Sequence, residues 1–226
     1  MIGVARRFQA EVRRPLDLSY LLYEPGPTVQ KGNRYPLVVF LHGMGERGSD
    51  LSRVTVHGPP LLAEKGRAFP FFLAAPQCPA DTSWLFQLDA LRGLVADLAR
   101  RLPVDTSRIC LTGLSMGGFG SWHLAVEYPH AFSAVVPICG GSALASGLDQ
   151  RLASIAHLPV WAFHGAKDDV VPIILQQMLV DGLRAAGGNV QFTVYPDADH
   201  DSWTATYGNQ QVYDWMLAQE NKHFRI

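Results

Sequence analysis

The sequence predicts one α/β domain over residues 1–226, built on a mostly parallel, twisted sheet with helices on both faces. Three observations predict it. Short, wholly apolar runs such as residues 37–41 and 71–75 have the composition of strands buried on both faces. Stretches with helical spacing alternate with those runs. No internal repeat or Pro/Gly/Ser-rich linker divides the chain.

The elements follow in order. Residues 8–24 read as two short strands about the turn Arg14-Pro15-Leu16-Asp17, the first marked by alternating Phe8, Ala10 and Val12. Pro25-Gly26-Pro27 and Lys31-Gly32-Asn33 read as a loop. Strands are expected at residues 37–41, 71–75, 109–112, 134–138, 160–163 and 190–195. A helix over residues 88–102 carries the helical period Leu88, Leu91, Leu94 or Val95, Leu98 and Leu102 and stops at Pro103. Further helices are expected over residues 117–128, stopped by Pro129, over 173–186, closed by Gly187-Gly188, and over 210–219.

Composition narrows the function. Of 226 residues, 48% are hydrophobic and 17% charged, and the formal charge is −1. That balance lacks the clustered basic excess of a nucleic-acid binder. No apolar run approaches the ~20 residues that span a bilayer, so no membrane insertion is expected. Cys78, Cys110 and Cys139 are too few and too widely spaced for a disulfide framework or a zinc site, and read as reduced, buried thiols. The N-terminus has arginines but no apolar core of a signal peptide, which points to the cytoplasm, although a trimmed leader would leave the same sequence.

Parallel sheets place their sites at the carboxyl ends of strands. After residues 109–112 comes Gly113-Leu114-Ser115-Met116-Gly117. This is G-x-S-x-G between a strand and a helix, the setting a nucleophile elbow requires. Ser115 is the candidate nucleophile. Gly113 and Gly117 keep side chains out of a tight turn, and the helix start offers free N–H groups to developing negative charge. After residues 37–41 comes His42-Gly43-Met44-Gly45-Glu46-Arg47-Gly48. In an acyl-transfer enzyme this loop supplies an oxyanion N–H, expected at Met44, to partner that of Met116. The same residues fit the dinucleotide pattern G-x-G-x-x-G, but no helical period follows directly and no acid ends the next strand, where Pro76-Gln77-Cys78-Pro79 stands.

A base and an acid complete such a site, in the chain order Ser, Asp or Glu, His. His223 is close to the C-terminus, and His164 precedes the acid candidates. His200, in a short loop after the last strand, is the base by elimination. The acid is expected in His164-Gly165-Ala166-Lys167-Asp168-Asp169, where periodicity does not choose between Asp168 and Asp169. Asp197-Ala198-Asp199-His200-Asp201 imitates the start of a calcium loop, but Ser202 stands where that loop wants Gly and Gly208 where it wants Glu. No metal and no cofactor are therefore expected.

Together these residues resemble the small α/β-hydrolase esterases of the phospholipase/carboxylesterase and feruloyl-esterase-like group, including members styled "predicted peptidase". The resemblance rests on residues 41–50, on Ala75-Pro76-Gln77-Cys78-Pro79 with Trp84, on 113–118, on 164–172 and on His200-Asp201-Ser202-Trp203, and it covers nearly the whole chain. It implies Ser115 as nucleophile, His200 as base and Asp168, through the pattern His-Gly-x-x-Asp, as acid. It implies the Met44 and Met116 N–H groups as oxyanion donors and a substrate contact at Trp84. Dienelactone hydrolases share the fold but carry Cys at the elbow, where this chain has Ser115. No long insertion precedes the acid strand, so no large lid is expected.

The expected function is hydrolysis of small to medium carboxylic esters, aryl or feruloyl esters among them, through a Ser-His-Asp acyl-enzyme. A thioesterase or a serine peptidase would use the same triad. A dinucleotide-binding protein and an inert binding module on a hydrolase fold are the non-hydrolase rivals.

Overall fold

The computed structural model describes residue 7 and residues 15–26, 32–142 and 147–226. The first expected strand, with Phe8, Ala10 and Val12, and the loop residues 27–31 lie outside them. Seven strands form one sheet in the order β1-β3-β2-β4-β5-β6-β7. They are β1 (Tyr20–Tyr23), β2 (Tyr35–Leu41), β3 (Phe72–Pro76), β4 (Val104–Leu114), β5 (Ala134–Ile138), β6 (Val160–Gly165) and β7 (Val190–Tyr195). The helices are α1 (Gly58–Glu64), α2 (Leu88–Arg101), α3 (Met116–Glu127), α4 (Ile174–Ala185), α5 (Trp203–Gly208) and α6 (Gln210–Leu217).

All pairs are parallel except β1 with β3, which is antiparallel, Tyr20 facing Pro76. The edge strand β1 thus pairs with a strand far along the chain. Alternation splits β2 between two cores. Leu37, Val39 and Leu41 face one layer with Leu91, Val95 and Trp122, from α2 and α3. Val38 and Phe40 face the other with Tyr207, Val212 and Tyr213, from α5 and α6. Strands covered on both sides need no polar face, which is why β2, β3 and β5 read as unbroken apolar runs.

Three differences from the sequence expectation have local causes. Strand β4 runs to Leu114 and begins at Val104, longer than residues 109–112. After buried Val104 come half-buried Asp105, Thr106, Ser107 and Arg108, which break the apolar run that marked its core. Helix α1 forms despite Gly58-Pro59-Pro60, because the prolines occupy its first turn, where no intrahelical N–H is needed. Helix α5 is only six residues long, too short for a periodic signal.

The strand order reverses at β2: β3 lies to one side of it and β4 to the other. Loops leaving β2 and β4 therefore flank a crevice at the sheet's carboxyl edge. The Met44–Glu46 segment forms a 3-10 turn, and α1 begins only at Gly58. A dinucleotide fingerprint would open a helix at once, so this loop is not one.

Candidate active site

Ser115 is the hinge between β4 and α3, with φ 52 and ψ −119. A Cβ on Gly113 would collide with the Gly117 carbonyl, and one on Gly117 with that of Leu41, so the turn admits only glycine at both places. The Ser115 N–H bonds the Ile138 carbonyl at 3.0 Å and also approaches Cys139 Sγ at 3.3 Å. Cys139, ending the neighbouring strand, has φ 39. Ser115 and Cys139 are the two described non-glycine residues with positive φ, and they lie against each other at the elbow. Strain of this kind persists only where surrounding structure holds it.

His200 faces this serine. Its Nε2 lies 3.0 Å from Ser115 Oγ and its Nδ1 lies 2.8 Å from Asp168 Oδ2. A carboxylate only accepts, so the ring proton is on Nδ1 and Nε2 is free to accept from the serine hydroxyl. The loop carrying His200 is fastened to the one carrying Asp168: the Ala166 N–H bonds the Tyr195 carbonyl and the Lys167 N–H that of Ala198, both at 2.9 Å.

Asp168 is buried and fully subscribed. Oδ1 accepts from the N–H groups of Val170 at 3.0 Å and Val171 at 2.8 Å, and Oδ2 accepts from His200. Asp169 is exposed and turned away from the ring. The sequence had set His164 aside as a base, and the structure shows what it does touch. His164 is fully buried, with Nε2 2.8 Å from the Val171 carbonyl and 3.1 Å from Asp168 Oδ2. Both partners are acceptors, so Nε2 carries the proton. Burial lowers the His164 pKa, keeping the ring neutral. The signal for this contact was the strand-ending position four residues before Asp168.

The loop after β2 is clamped from several sides. His42, fully buried, donates from Nδ1 to the Gly43 carbonyl at 2.6 Å and accepts from the Cys78 N–H at 3.0 Å. Burial pushes its pKa down to about 4. Arg47 bonds the carbonyls of Met44 and Thr82, Arg53 that of Gly45, and Gln77 those of Glu46 and Asp50. Met44 and Met116 each start their own helical turn, where a backbone N–H has no acceptor within the turn.

Trp84 requires a correction. It is fully buried and donates its indole N–H to the His42 carbonyl at 2.9 Å. The side chain presents no surface to a substrate and instead holds the loop from beneath. Trp203 is the tryptophan at the site: it stands edge-on to His200, ring centres 5.2 Å apart. Met44, Glu46, His57, Val170 and Trp203 ring an open depression of about 230 Å³ over Ser115.

Cys139, Asp168 and His200 bring potential metal-ligand atoms within 4.8 Å of one another, but the set does not fit an ion. Burial pushes the Cys139 thiol up to about 12, and metals bind the thiolate. Asp168 and His200 already spend their facing atoms on each other. Of the calcium-like residues, Asp197 pairs with Lys167 and Asp201 accepts from the N–H of Thr204. No helix among the described residues is long and apolar enough to cross a membrane.

Comparison with known proteins points to the same fold and to a family. The sequence model of the phospholipase/carboxylesterase family matches residues 88–212. A thermostable esterase of known structure superposes with a TM-score of 0.76 at 34% identity, over 90% of this chain and 59% of its own. A bifunctional acetylxylan esterase/xylanase of Neocallimastix patriciarum is 26% identical over 60% of this chain and 20% of its own length. A Salmonella typhimurium protein provisionally named a carboxymethylenebutenolidase is 31% identical over 57% of this chain. The chain spans about a fifth of the first of these two relatives and about half, 53%, of the second.

Proposed function

The chain belongs to the phospholipase/carboxylesterase family of α/β-hydrolases, and from that premise we propose that it is a serine carboxylesterase working through an acyl-enzyme on Ser115. The substrates proposed are small to medium carboxylic esters, aryl or feruloyl esters among them. The observation that carries the proposal is the unbroken hydrogen-bonded line Ser115 Oγ–His200–Asp168.

The chemistry follows from that line. His200 Nε2 takes the proton of Ser115 as Oγ attacks the ester carbonyl. Asp168 holds the tautomer and stabilises the imidazolium that forms. The Met44 and Met116 N–H groups receive the oxyanion; losing one such donor costs about 3 kcal/mol of transition-state stabilisation. His200 then protonates the departing alcohol, and water releases the acid by the reverse sequence. His164 acts at one remove, as a second donor to Asp168 Oδ2. Cys78, Cys110 and Cys139 are free and buried, which suits a reducing compartment such as the cytoplasm.

The test is fluorophosphonate labelling of wild type beside Ser115→Ala, followed by p-nitrophenyl esters of increasing chain length. Labelling lost in the variant supports the proposal. A folded wild type that does not label overturns it. A thioester and a peptide substrate in the same panel separate the two hydrolases that would share this triad. The carboxymethylenebutenolidase reading disagrees with the elbow, where this chain has Ser115 rather than Cys.

A further inference from the structure

Cys139 follows β5 in a backbone conformation that side chains seldom adopt, with φ 39. Glycine takes that conformation freely, and two glycines come next, yet the strained position itself carries a thiol. Its backbone is pinned on both sides. The Cys139 N–H bonds the Phe163 carbonyl at 2.8 Å, and the N–H of Gly140 bonds Gln176 Oε1 at 3.0 Å. Gln176, on α4, is fully buried and holds the same Phe163 carbonyl through Nε2 at 2.8 Å. Cys139 thus has a base fixed to β6 and α4, independent of the elbow.

From that base the sulfur reaches the triad. The Ser115 N–H approaches Sγ at 3.3 Å, and Sγ lies within 4.8 Å of a carboxylate oxygen of Asp168 and a ring nitrogen of His200. Ser202, two residues beyond the base, bonds the His200 carbonyl through its N–H at 2.9 Å. Its Oγ is fully buried with no hydrogen-bond partner among the described residues, and it stands near enough to act on the Cys139 thiol. One sulfur therefore adjoins the nucleophile, the acid, the base and the segment that carries the base. Burial pushes the thiol up to about 12, so it stays neutral and does not compete for the His200 proton. What it brings to the site is size and shape.

We propose that Cys139 is a positioning residue: its sulfur is a strut between the Ser115 elbow and the Asp168–His200 pair, and it sets the distance from Ser115 Oγ to His200 Nε2. The proposal deepens the serine-esterase reading above and rests on it. A close-packed interior passes a displacement on rather than absorbing it. An oxygen in place of the sulfur is smaller and bonded closer to Cβ, so the elbow loses its support while the Ser115 N–H keeps the Ile138 carbonyl. The turn then keeps its fold and loses its aim at His200. Strain such as that at φ 39 persists only where surrounding contacts hold it, and here those contacts run to the triad.

The experiment measures kcat and KM on p-nitrophenyl acetate for wild type, Cys139→Ala, Cys139→Gly and Cys139→Ser, with a melting temperature and fluorophosphonate labelling of Ser115 for each preparation. Alanine removes the sulfur and keeps the strain, whereas glycine removes both. The expected result is a kcat about tenfold lower in both, at unchanged KM, as for a small misplacement of a reacting group. Cys139→Ser still offers the Ser115 N–H an acceptor and should recover part of the loss, falling about threefold. Wild-type kcat in the alanine or the serine variant overturns the strut, and the serine variant alone decides if the other two do not fold. A glycine variant as fast as wild type beside a slow alanine variant overturns it too, because strain and not sulfur would then govern the rate. So does a KM that rises in step with the fall in kcat, the sign of general loosening. A wild type that labels leaves the esterase reading standing whatever these variants do. A folded wild type that does not label overturns that reading and the strut together.

Discussion

Replacing Asp168 by Asn tests the site at its most constrained atom. The carboxylate accepts three hydrogen bonds, from two backbone N–H groups on Oδ1 and from His200 on Oδ2, and His164 Nε2 stands 3.1 Å from Oδ2. An amide cannot match that pattern. With its NH2 towards His200, it donates to Nδ1, moves the ring proton to Nε2 and leaves nothing to accept from Ser115. Flipped, its NH2 confronts the N–H groups of Val170 and Val171 at a buried position. The template Asp→Asn change in a Ser-His-Asp triad costs about 10⁴ in kcat, or ~5 kcal/mol of barrier, and the same loss is expected here. Asp169→Asn alters an exposed group and should change kcat less than about twofold. The assay is steady-state hydrolysis of p-nitrophenyl acetate, with melting temperatures to show that both variants fold. An Asp168→Asn enzyme within tenfold of wild type, or an Asp169→Asn enzyme that is the slower of the two, refutes the reasoning.

Three further outcomes follow from the same contacts. His164→Ala removes a donor from Asp168 Oδ2 and should lower kcat about tenfold on p-nitrophenyl acetate; wild-type turnover would show the contact to be idle. Trp84→Phe deletes the buried bond to the His42 carbonyl and should cost about 1–3 kcal/mol in urea denaturation, while a variant as stable as wild type would count against the clamp. His42 and His123 are held neutral by burial, each with its pKa lowered from 6.5 to about 4. A cationic acid whose folded pKa is depressed binds more protons when unfolded, so this stability is whole above pH 6.5 and is lost as pH falls towards 4. Each histidine contributes at most roughly 3 kcal/mol to that loss, and a urea midpoint that stays flat from pH 7 to 4 would contradict it.

Much of the architecture was legible because burial on both faces leaves a simple mark. Strands β5 and β7 fall at residues 134–138 and 190–195, as the apolar and alternating runs indicate. The helices α2, α3 and α4 lie within two residues of where their spacing and their stops place them. What escaped was short or depended on distant partners. Helix α1 hid behind prolines whose position within the helix, not their presence, decides the outcome. The pairing of β1 with β3 is a contact across some fifty residues, for which local pattern carries no information.

At the site the division is similar. Strand, elbow and helix in G-x-S-x-G are local, so the sequence by itself determined that Ser115 would stand on a strained turn, and chain order singled out His200. Three matters depend on packing rather than on local pattern, although the family pattern His-Gly-x-x-Asp had already pointed to Asp168. Asp168 and Asp169 are chemically identical neighbours, and only the path of the loop after β6 turns one to the ring and the other to solvent. Trp84 and Trp203 are equally aromatic, yet one is sealed beneath the loop after β2 and the other stands against His200. His164 acquires its significance from what it shares, an accepting oxygen at 3.1 Å on Asp168. Residue type and spacing determine which chemistry is possible. Direction, burial and the count of unsatisfied donors and acceptors arise only when distant segments pack together, and those decide which residue performs it.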